Sequence, residues 1–226
     1  MSGALRSAGL VPLTEPYTAQ GYTHVGGGGG ETTTSGVLST TGNSSVVDWV
    51  VVSCGVRRIP RRSGHQERTV IAERKRCRSG WCFDVSFSRA AGNYYIALRH
   101  RNHLGIMTAQ AIALDDSADP LDLSNASVAL YNASEATKNI AGVRVLFAGD
   151  VTGDGTVRYT GLENDRDRIL LRVGGVVPTN TWSGYAEADV NMDGVVSYTG
   201  SGNDRDYILV NIGGAAVTST RSAALP

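Results

Sequence analysis

The chain has 226 residues, with 21 Lys and Arg against 21 Asp and Glu, 41% apolar residues and 28 glycines. This length suffices for one large domain or two small ones, and no apolar run approaches the roughly 20 residues of a membrane-spanning helix. The charge is unevenly distributed, because residues 54–89 hold ten basic residues and three acids, which leaves 11 basic and 18 acidic residues elsewhere. An acidic body argues against nucleic acid as the main partner and suits the binding of divalent cations.

Residues 1–30 predict an extended arm that ends in a flexible hinge. Pro12 and Pro16 disfavour helix in the arm, and Gly26–Gly30 forms the hinge. A basic stretch followed by an apolar run is missing, so we expect no signal peptide in this sequence. An apolar arm before a hinge can donate a strand to a neighbouring copy and build a homo-oligomer or filament. The alternative is that the arm packs on its own domain.

Residues 31–147 predict an antiparallel β-sandwich or barrel-like domain, which makes the expected fold class mainly β. Val, Thr, Ser and Gly dominate this region, and turn signals such as Ala91-Gly92-Asn93 separate its apolar runs. The strand-like runs are Ser35–Thr40, Ser45–Val52, Tyr94–His100, Ser127–Tyr131 and Val143–Ala148.

The basic segment, residues 54–89, interrupts this domain and holds all three cysteines, Cys54, Cys77 and Cys82. One interpretation is a basic binding loop with a Cys77–Cys82 disulfide, and another is a surface insertion. A third is that the gene is read out of frame here, because a shift of one nucleotide can encode alternating strands around an NGNG turn. The third interpretation fits the neighbouring sequence best and predicts no basic binding site.

Arg99–His103 is the densest cluster of polar side chains outside the acidic loops described next. No nucleophile or paired carboxylate stands nearby in the sequence, so we expect these side chains to pack and hydrogen-bond at a strand end. Nothing in the sequence assembles a nucleophile, a base and an oxyanion site, and we therefore expect a protein that is not an enzyme.

Residues 148–226 contain a duplication. The segment DVTGDGTVRYTGLENDRDRILLRVGG (150–175) matches DVNMDGVVSYTGSGNDRDYILVNIGG (189–214) at a constant offset of 39 residues. A match of this length within one chain indicates duplication of a unit. Each copy predicts an acidic loop followed by a short helix, Asp165–Val173 or Asp204–Ile212, with Gly174 or Gly213 at its C-terminal cap.

Each loop opens with the pattern D-x-[NT]-x-D-G, which places hard oxygens around one centre as calcium sites require. The predicted ligands are Asp150, Thr152, Asp154 and the Thr156 carbonyl in loop 1, and Asp189, Asn191, Asp193 and the Val195 carbonyl in loop 2. An EF-hand loop has an acid at position 12, where this chain has Gly161 and Gly200. The last ligand therefore comes later, from Asp167 and Asp206 or from their rivals Asp165 and Asp204. We expect about two structural calcium ions.

These paired loops and helices resemble the dockerin group, whose repeats bind cohesin domains, although the delayed last ligand departs from that pattern. Over nearly the whole chain, GLVPLTEPYTAQGYTHVGGGGGE, GNYYIALRHRNHLGIMTA and YTGSGNDRDYIL resemble the C-terminal regions of large secreted Bacteroidetes surface proteins labelled hemagglutinin-like. This resemblance implies an extracellular, surface-associated role with paired metal loops.

We accordingly expect an extracellular, calcium-stabilised structural or adhesive protein, with an extracellular protein or glycan as its partner. The alternative is a dockerin-like module that anchors a secreted protein through its paired helices.

Overall fold

The computed structural model describes residues 3–42, 45–56, 65–73, 76–77, 80–81, 87, 90–115 and 121–225. Most of the basic segment, including Cys82, therefore lies outside the described residues, and the predictions made for that segment stay predictions. The helices are α1 (Ala4–Ser7), α2 (Ser35–Leu38), α3 (Ala133–Ala136), α4 (Asp165–Arg172) and α5 (Asp204–Asn211). Among the described residues, no helix is long and apolar enough to cross a membrane.

The strands form one five-stranded antiparallel sheet and four two-stranded ribbons among the described residues. The sheet has the order β2-β1-β5-β6, and β7 also pairs with β5; the ribbons are β3–β4, β8–β9, β10–β13 and β11–β12. The strands are β1 (Val46–Gly55), β2 (His65–Glu73), β3 (Arg76–Cys77), β4 (Gly80–Trp81), β5 (Gly92–His100), β6 (His103–Met107), β7 (Ile112–Leu114), β8 (Thr137–Ile140), β9 (Val143–Leu146), β10 (Thr156–Arg158), β11 (Thr181–Ser183), β12 (Val195–Ser197) and β13 (Thr220–Ser222). The prediction of a mainly β, antiparallel fold is confirmed.

Two of the predicted strands are wrong. Ser35–Leu38 forms the helical turn α2, because Thr34 caps its start by accepting a hydrogen bond from the Val37 amide. Ser127–Tyr131 forms no strand, and its pairing is limited to a single bridge between Leu130 and Thr108. Before Ser127, the Asn125 side chain accepts from the Ser127 amide at 2.9 Å, so in both places a local side-chain hydrogen bond favours a turn over a ladder.

Strand β1 is the centre of the molecule because it is buried on both faces along its whole length. Val50, Val52 and Cys54 face the larger hydrophobic core, which also contains alternate residues of β5 and β6. Val47, Trp49 and Val51 alternate with them and face a second cluster. A strand buried on both faces has an almost continuous apolar sequence, as VVDWVVVSC does.

The N-terminal segment covers the second face of β1 and does not form the extended arm predicted from its prolines. Leu5, Val11 and Tyr17 are buried against Trp49. The Tyr17 hydroxyl donates to the Trp49 carbonyl at 2.7 Å, and Trp49 Nε1 donates to the Pro12 carbonyl at 2.9 Å. Strand donation to another copy would break these contacts, so the packing favours the alternative in which the arm packs on its own chain.

The glycine hinge is also held in place, in contrast to the prediction of a flexible break. The Glu15 carboxylate accepts hydrogen bonds from the amides of Gly30 at 3.0 Å and Tyr17 at 2.7 Å. Gly29 has a φ of +88°, and a side chain there would come within 3.1 Å of the Thr18 hydroxyl. The glycines therefore serve close backbone packing at this bend.

The duplicated region shares its core with the sheet, so the predicted boundary at residues 147 and 148 does not separate two cores. Val157, Ile169 and Ile208 of the repeats belong to the same cluster as Ile96 and Leu104 of the sheet. The repeats thus share one hydrophobic core with the face of β1 that carries Val50 and Val52. Unfolding of the repeats and unfolding of the sheet are expected to be coupled through this core.

The two repeats exchange strands with each other. Strand β10 of the first copy pairs with β13 at the end of the second, and β11 of the first pairs with β12 of the second. The exchange is reciprocal in detail, because the Thr160 hydroxyl donates to the Val217 carbonyl at 2.9 Å and the Thr199 hydroxyl donates to the Pro178 carbonyl at 3.1 Å. Neither copy can therefore complete its structure alone.

Replacing Leu5 by Ala tests the packing of the N-terminal segment. Leu5 is completely buried, so the substitution should lower the free energy of unfolding by about 2–5 kcal/mol through lost burial and a cavity. Leu162→Ala is the control, since Leu162 is 88% exposed. Urea unfolding measures both, and equal stability of the two variants would contradict the packing described here.

Candidate metal centre

In each loop, the carboxylate of the first aspartate accepts a hydrogen bond from the backbone of the same loop. Asp150 Oδ2 accepts a hydrogen bond from the Gly155 amide at 3.0 Å, and Asp189 Oδ2 accepts one from the Gly194 amide at 2.9 Å. These glycines stand at position six with φ of +82° and +90°, in the left-handed region that other residues rarely adopt. The two loops therefore close in the same way, as expected for a cation-binding turn.

Asp150 presents the clearest sign of a missing partner. The residue is 6% exposed, and its Oδ1 atom is buried without a hydrogen-bond partner. An unpartnered buried carboxylate oxygen is costly unless a cation or a donor satisfies it. Asp189 differs, because its Oδ1 accepts a hydrogen bond from the Asp193 amide at 3.1 Å.

The next predicted ligands lie on the exposed side of each loop. Asp154 Oδ1 accepts from the Thr156 amide at 2.8 Å, and Asp154 Oδ2 pairs with Arg158 at 3.1 Å. A cation in loop 1 would compete with Arg158 for this carboxylate. The Thr152 hydroxyl donates to Asp165 Oδ1 at 3.1 Å, which directs it toward the same centre.

Loop 2 repeats this arrangement with an amide in place of the threonine. Asp193 Oδ1 accepts from the Val195 amide at 2.8 Å, and Asn191 Nδ2 donates to Asp193 Oδ2 at 3.0 Å. Thr156 and Val195, whose carbonyls are predicted ligands, begin the strands that follow the loops. In loop 2 these bonds connect Asn191 with Asp193, and the assignment of the loop residues as metal ligands stays a prediction.

Asp165 and Asp204, rather than Asp167 and Asp206, are the helix-start acids that hydrogen-bond to the loops. Asp165 Oδ1 accepts from the Val151 and Thr152 amides at 2.8 and 2.9 Å, and its Oδ2 accepts from the Arg158 amide at 2.8 Å. Asp204 makes the equivalent bonds to the second loop, and both residues are completely buried. These carboxylates tie the start of each helix to its loop.

Asp167 and Asp206 instead cap the helices. Asn164 Oδ1 accepts from the Asp167 amide at 3.0 Å, while Asn164 Nδ2 donates to Asp167 Oδ2 at 2.8 Å. Asn203 and Asp206 repeat this reciprocal pair at 3.0 and 2.8 Å. Such pairs satisfy the orphan amides of a helix start, which explains the N-D-x-D pattern without a metal.

The inserted Tyr-Thr-Gly step also has a structural explanation that sequence reasoning missed. The Arg166 guanidinium lies 5.2 Å from the ring centroid of Tyr159, and that of Arg205 lies 4.9 Å from Tyr198. The threonines join the two repeats as described above. Gly161 has a φ of +97°, and its carbonyl accepts from Asn164 Nδ2 at 2.7 Å. The insertion therefore serves the helix start and the exchange between repeats.

Asn102, in the turn between β5 and β6, connects the two loops. Its carbonyl accepts from the amides of Gly149 and Asp150 at 2.8 and 3.2 Å. Its side-chain Nδ2 donates to the carbonyls of Glu187 and Asp189 at 2.9 and 2.7 Å. One completely buried residue thus holds the first aspartate of both loops, loop 1 through its backbone carbonyl and loop 2 through its side chain. The sequence signalled this residue only through the polar cluster around it.

A buried group of charged and polar side chains lies next to this turn. Asp48 of β1 pairs with Arg101 and His100, and its Oδ1 accepts from the Tyr185 hydroxyl at 2.6 Å. Burial opposes ionisation of Asp48, but the neighbouring Arg101 and the hydrogen bond from His100 hold its pKa below its usual range. Burial lowers the pKa of His103, which contacts His100 Nδ1 at 2.9 Å. The expected strand-end hydrogen bonding is therefore present.

Two of the acids, one in each copy, have raised pKa values. Burial raises the pKa of Asp150 to about 7, with additional contributions from the charges of Asp165 and Asp154. Burial likewise raises the pKa of Asp204 to about 7, against the opposing backbone hydrogen bond from Ser197. A bound cation would remove this penalty by favouring the ionised carboxylates.

The donor set fits calcium better than a transition metal. Among the described residues, no group of three or more His, Cys, Asp or Glu side chains is placed to hold a metal ion. Besides its first aspartate, each loop carries two exposed or half-buried residues with oxygen donors, Thr152 and Asp154 in loop 1 and Asn191 and Asp193 in loop 2. Hard oxygens of this mixed kind are the ligands that calcium accepts.

No protein-family model matches the chain, and neither a curated protein nor a solved structure matches it significantly.

The raised pKa of Asp150 predicts a pH dependence in the presence of EGTA. Its pKa is about 7 in the folded chain against a reference of 3.8, so the unfolded chain loses this proton first as the pH rises. Stability should therefore fall between about pH 4 and pH 7, by a few kcal/mol at most from this group. Asp150→Asn should flatten the dependence in urea unfolding at pH 5, 6, 7 and 8. Parallel curves for the variant and the parent would contradict it.

Asn102→Ala should weaken loop 2 and leave loop 1 in place. The change leaves the Glu187 and Asp189 carbonyls without their donor, at a cost of about 1–3 kcal/mol, whereas the backbone carbonyl that holds Gly149 and Asp150 remains. Calcium titration calorimetry should show lower affinity at one of the two sites, and Asn180→Ala, a change on the exposed surface, should leave both unaltered. Unchanged affinity at both sites would argue against this role of the Asn102 side chain.

Proposed function

We propose that this chain is a non-enzymatic protein of the extracellular space, structural or adhesive in role, whose duplicated loops each bind one calcium ion. The observation that carries the proposal is the buried, unpartnered Oδ1 of Asp150. It lies in a loop whose acids and glycines recur 39 residues later with the same backbone hydrogen bonds.

The position of the loops supports a stabilising role for the ions. The second residues of the two loops, Val151 and Val190, belong to the core shared with the sheet. Met192 of loop 2 is buried with Leu5 and Trp49 in the second cluster. Ion binding would therefore stabilise the two hydrophobic clusters that contain the residues of β1, since a cation that organises a loop contributes its binding free energy to folding.

An extracellular location agrees with the expected affinity. Calcium modules outside cells commonly bind at about 10⁻⁴–10⁻³ M, where the ion is permanently present. The resemblance to secreted surface proteins, seen in YTGSGNDRDYIL and the other segments quoted above, supports the same location. Adhesion to an extracellular protein or glycan is part of this proposal.

The alternative function is a docking module that uses the paired helices, in the manner of dockerins. Leu171 of α4 and Val210 of α5 are each 63% exposed, and they occupy equivalent positions in the two copies. Matching exposed apolar side chains favour a partner that contacts either helix in the same way.

Calcium titration of the intact chain tests the main proposal. We expect two ions with dissociation constants near 10⁻⁴–10⁻³ M, and a single thermal transition that shifts upward with calcium because the repeats and the sheet share one core. At 100 times the dissociation constant, each ion adds about 2.7 kcal/mol of stability. Asp154→Asn and Asp193→Asn should each remove one ion.

Asp167→Asn and Asp206→Asn are the matched controls, because these acids cap helices and should leave both ions bound. Loss of an ion in these variants would assign the last ligand to the capping acids. A chain that binds no calcium at 10 mM would rule out the proposal.

A further inference from the structure

A cavity of about 1040 Å³ lies beside loop 1. Its walls come from the N-terminal segment around Tyr22, the β5–β6 hairpin, loop 1 from Asp150 to Gly155, helix α4 and the C-terminal end at Leu225. Of the described residues that line it, none belongs to loop 2. A concave space of this volume is large enough to admit a small molecule.

The two loops differ in what covers them. Loop 2 is closed by the N-terminal segment, because a Cβ at Gly194 would lie 2.5 Å from Leu10 Cδ1, and Met192 is buried in the core. In loop 1, a Cβ at Gly153 would meet nothing within 4 Å. Gly153 and Met192 are equivalent residues, so the same position is open in loop 1 and packed in loop 2.

Loop 1 also has fewer strong ligands of its own. It has Thr152 where loop 2 has Asn191, and a hydroxyl is a weaker calcium ligand than an amide oxygen. Calcium accepts six to eight oxygens, so Asp150, Asp154 and nearby carbonyls leave room for oxygens from outside the chain. Because loop 1 is open on the side of the cavity, these remaining coordination positions would face the cavity.

Cationic side chains from two elements line the same cavity. Arg99 lies near the end of β5, while Arg168 and Arg172 lie one turn apart on α4. Arg99 donates to the Ser53 hydroxyl at 2.9 Å, Arg101 is paired with Asp48, and Arg172 is paired with Glu187 at 3.1 Å. Arg168 makes no side-chain hydrogen bond or ion pair with the described residues. It is thus a cationic side chain that an anionic ligand can pair with, beside the carboxylates that also line the cavity.

We propose that the cavity binds a small hydroxylated carboxylate of the size of a uronic acid, whose carboxylate completes the oxygen shell of the calcium ion in loop 1 and pairs with Arg168. The hydroxyl groups of the ligand face the polar wall formed by Gln20, Thr23 and Glu187. Loop 2 holds a purely structural ion. This assignment rests on the calcium binding proposed above.

Calorimetry with D-glucuronate tests the assignment, after a calcium titration without sugar has established the number of ions. In calcium, D-glucuronate should bind with one site per chain, and D-glucose, its neutral counterpart, should not. Binding should vanish in EGTA and in Asp154→Asn, and Arg168→Gln should weaken it about tenfold through loss of a charge-assisted hydrogen bond. Tyr207→Gln, at the equivalent position of α5 outside the cavity, should leave it unchanged.

The outcomes separate this inference from the proposed function. Two bound calcium ions without glucuronate binding would overturn the ligand site and leave calcium binding intact. Glucuronate binding that persists in EGTA would overturn the role of the ion in the site. Trigalacturonate distinguishes the source of the carboxylate, since tighter binding than glucuronate points to the end of an acidic polysaccharide and equal binding to a free sugar acid.

Discussion

The arrangement of both loops depends on the hydrogen bonds of Asn102. This residue lies in the turn between β5 and β6. Its backbone carbonyl holds the start of loop 1, and its side-chain amide holds the start of loop 2. Because the residue is completely buried, water cannot replace these bonds if they are lost. The sheet therefore sets the distance between the first aspartates of the two copies, and the duplicated region is oriented by a residue outside it.

The buried ionic group beneath this turn links it to the centre of the sheet. Asp48 stands in the otherwise apolar strand β1 and pairs with Arg101, the residue next to Asn102. A buried ion pair adds little net stability when compared with apolar packing, but removing one partner is costly. Its consequence here is specificity, because Asp48 also accepts the hydroxyl of Tyr185 and thus fixes the segment that leads into loop 2. A single polar position in β1 thereby orients the turn and the second repeat together.

The duplicated units show how far sequence reasoning extends. The loops, the helices α4 and α5 and their glycine caps were predictable because each depends on contacts within a few residues, and two aligned copies doubled the signal. The choice between Asp165 and Asp167 was not predictable in this way. Both acids lie in the first turn of the helix, and only the path of the chain shows that Asp165 reaches back to the Val151 amide while Asp167 faces Asn164.

The sequence by itself determined the mainly β character, the duplication and the acidic loops, because these follow from composition, local spacing and repetition. The tertiary structure alone decided where the N-terminal segment lies, which strands the repeats exchange and which loop faces the cavity. The prolines and glycines of residues 1–30 are equally compatible with an extended arm, and only the apolar face of Val47, Trp49 and Val51 gives Leu5 and Val11 a place to be buried. Contacts between residues far apart in the chain leave no local pattern, so the difference between the open and the covered loop could not be read before the fold was known.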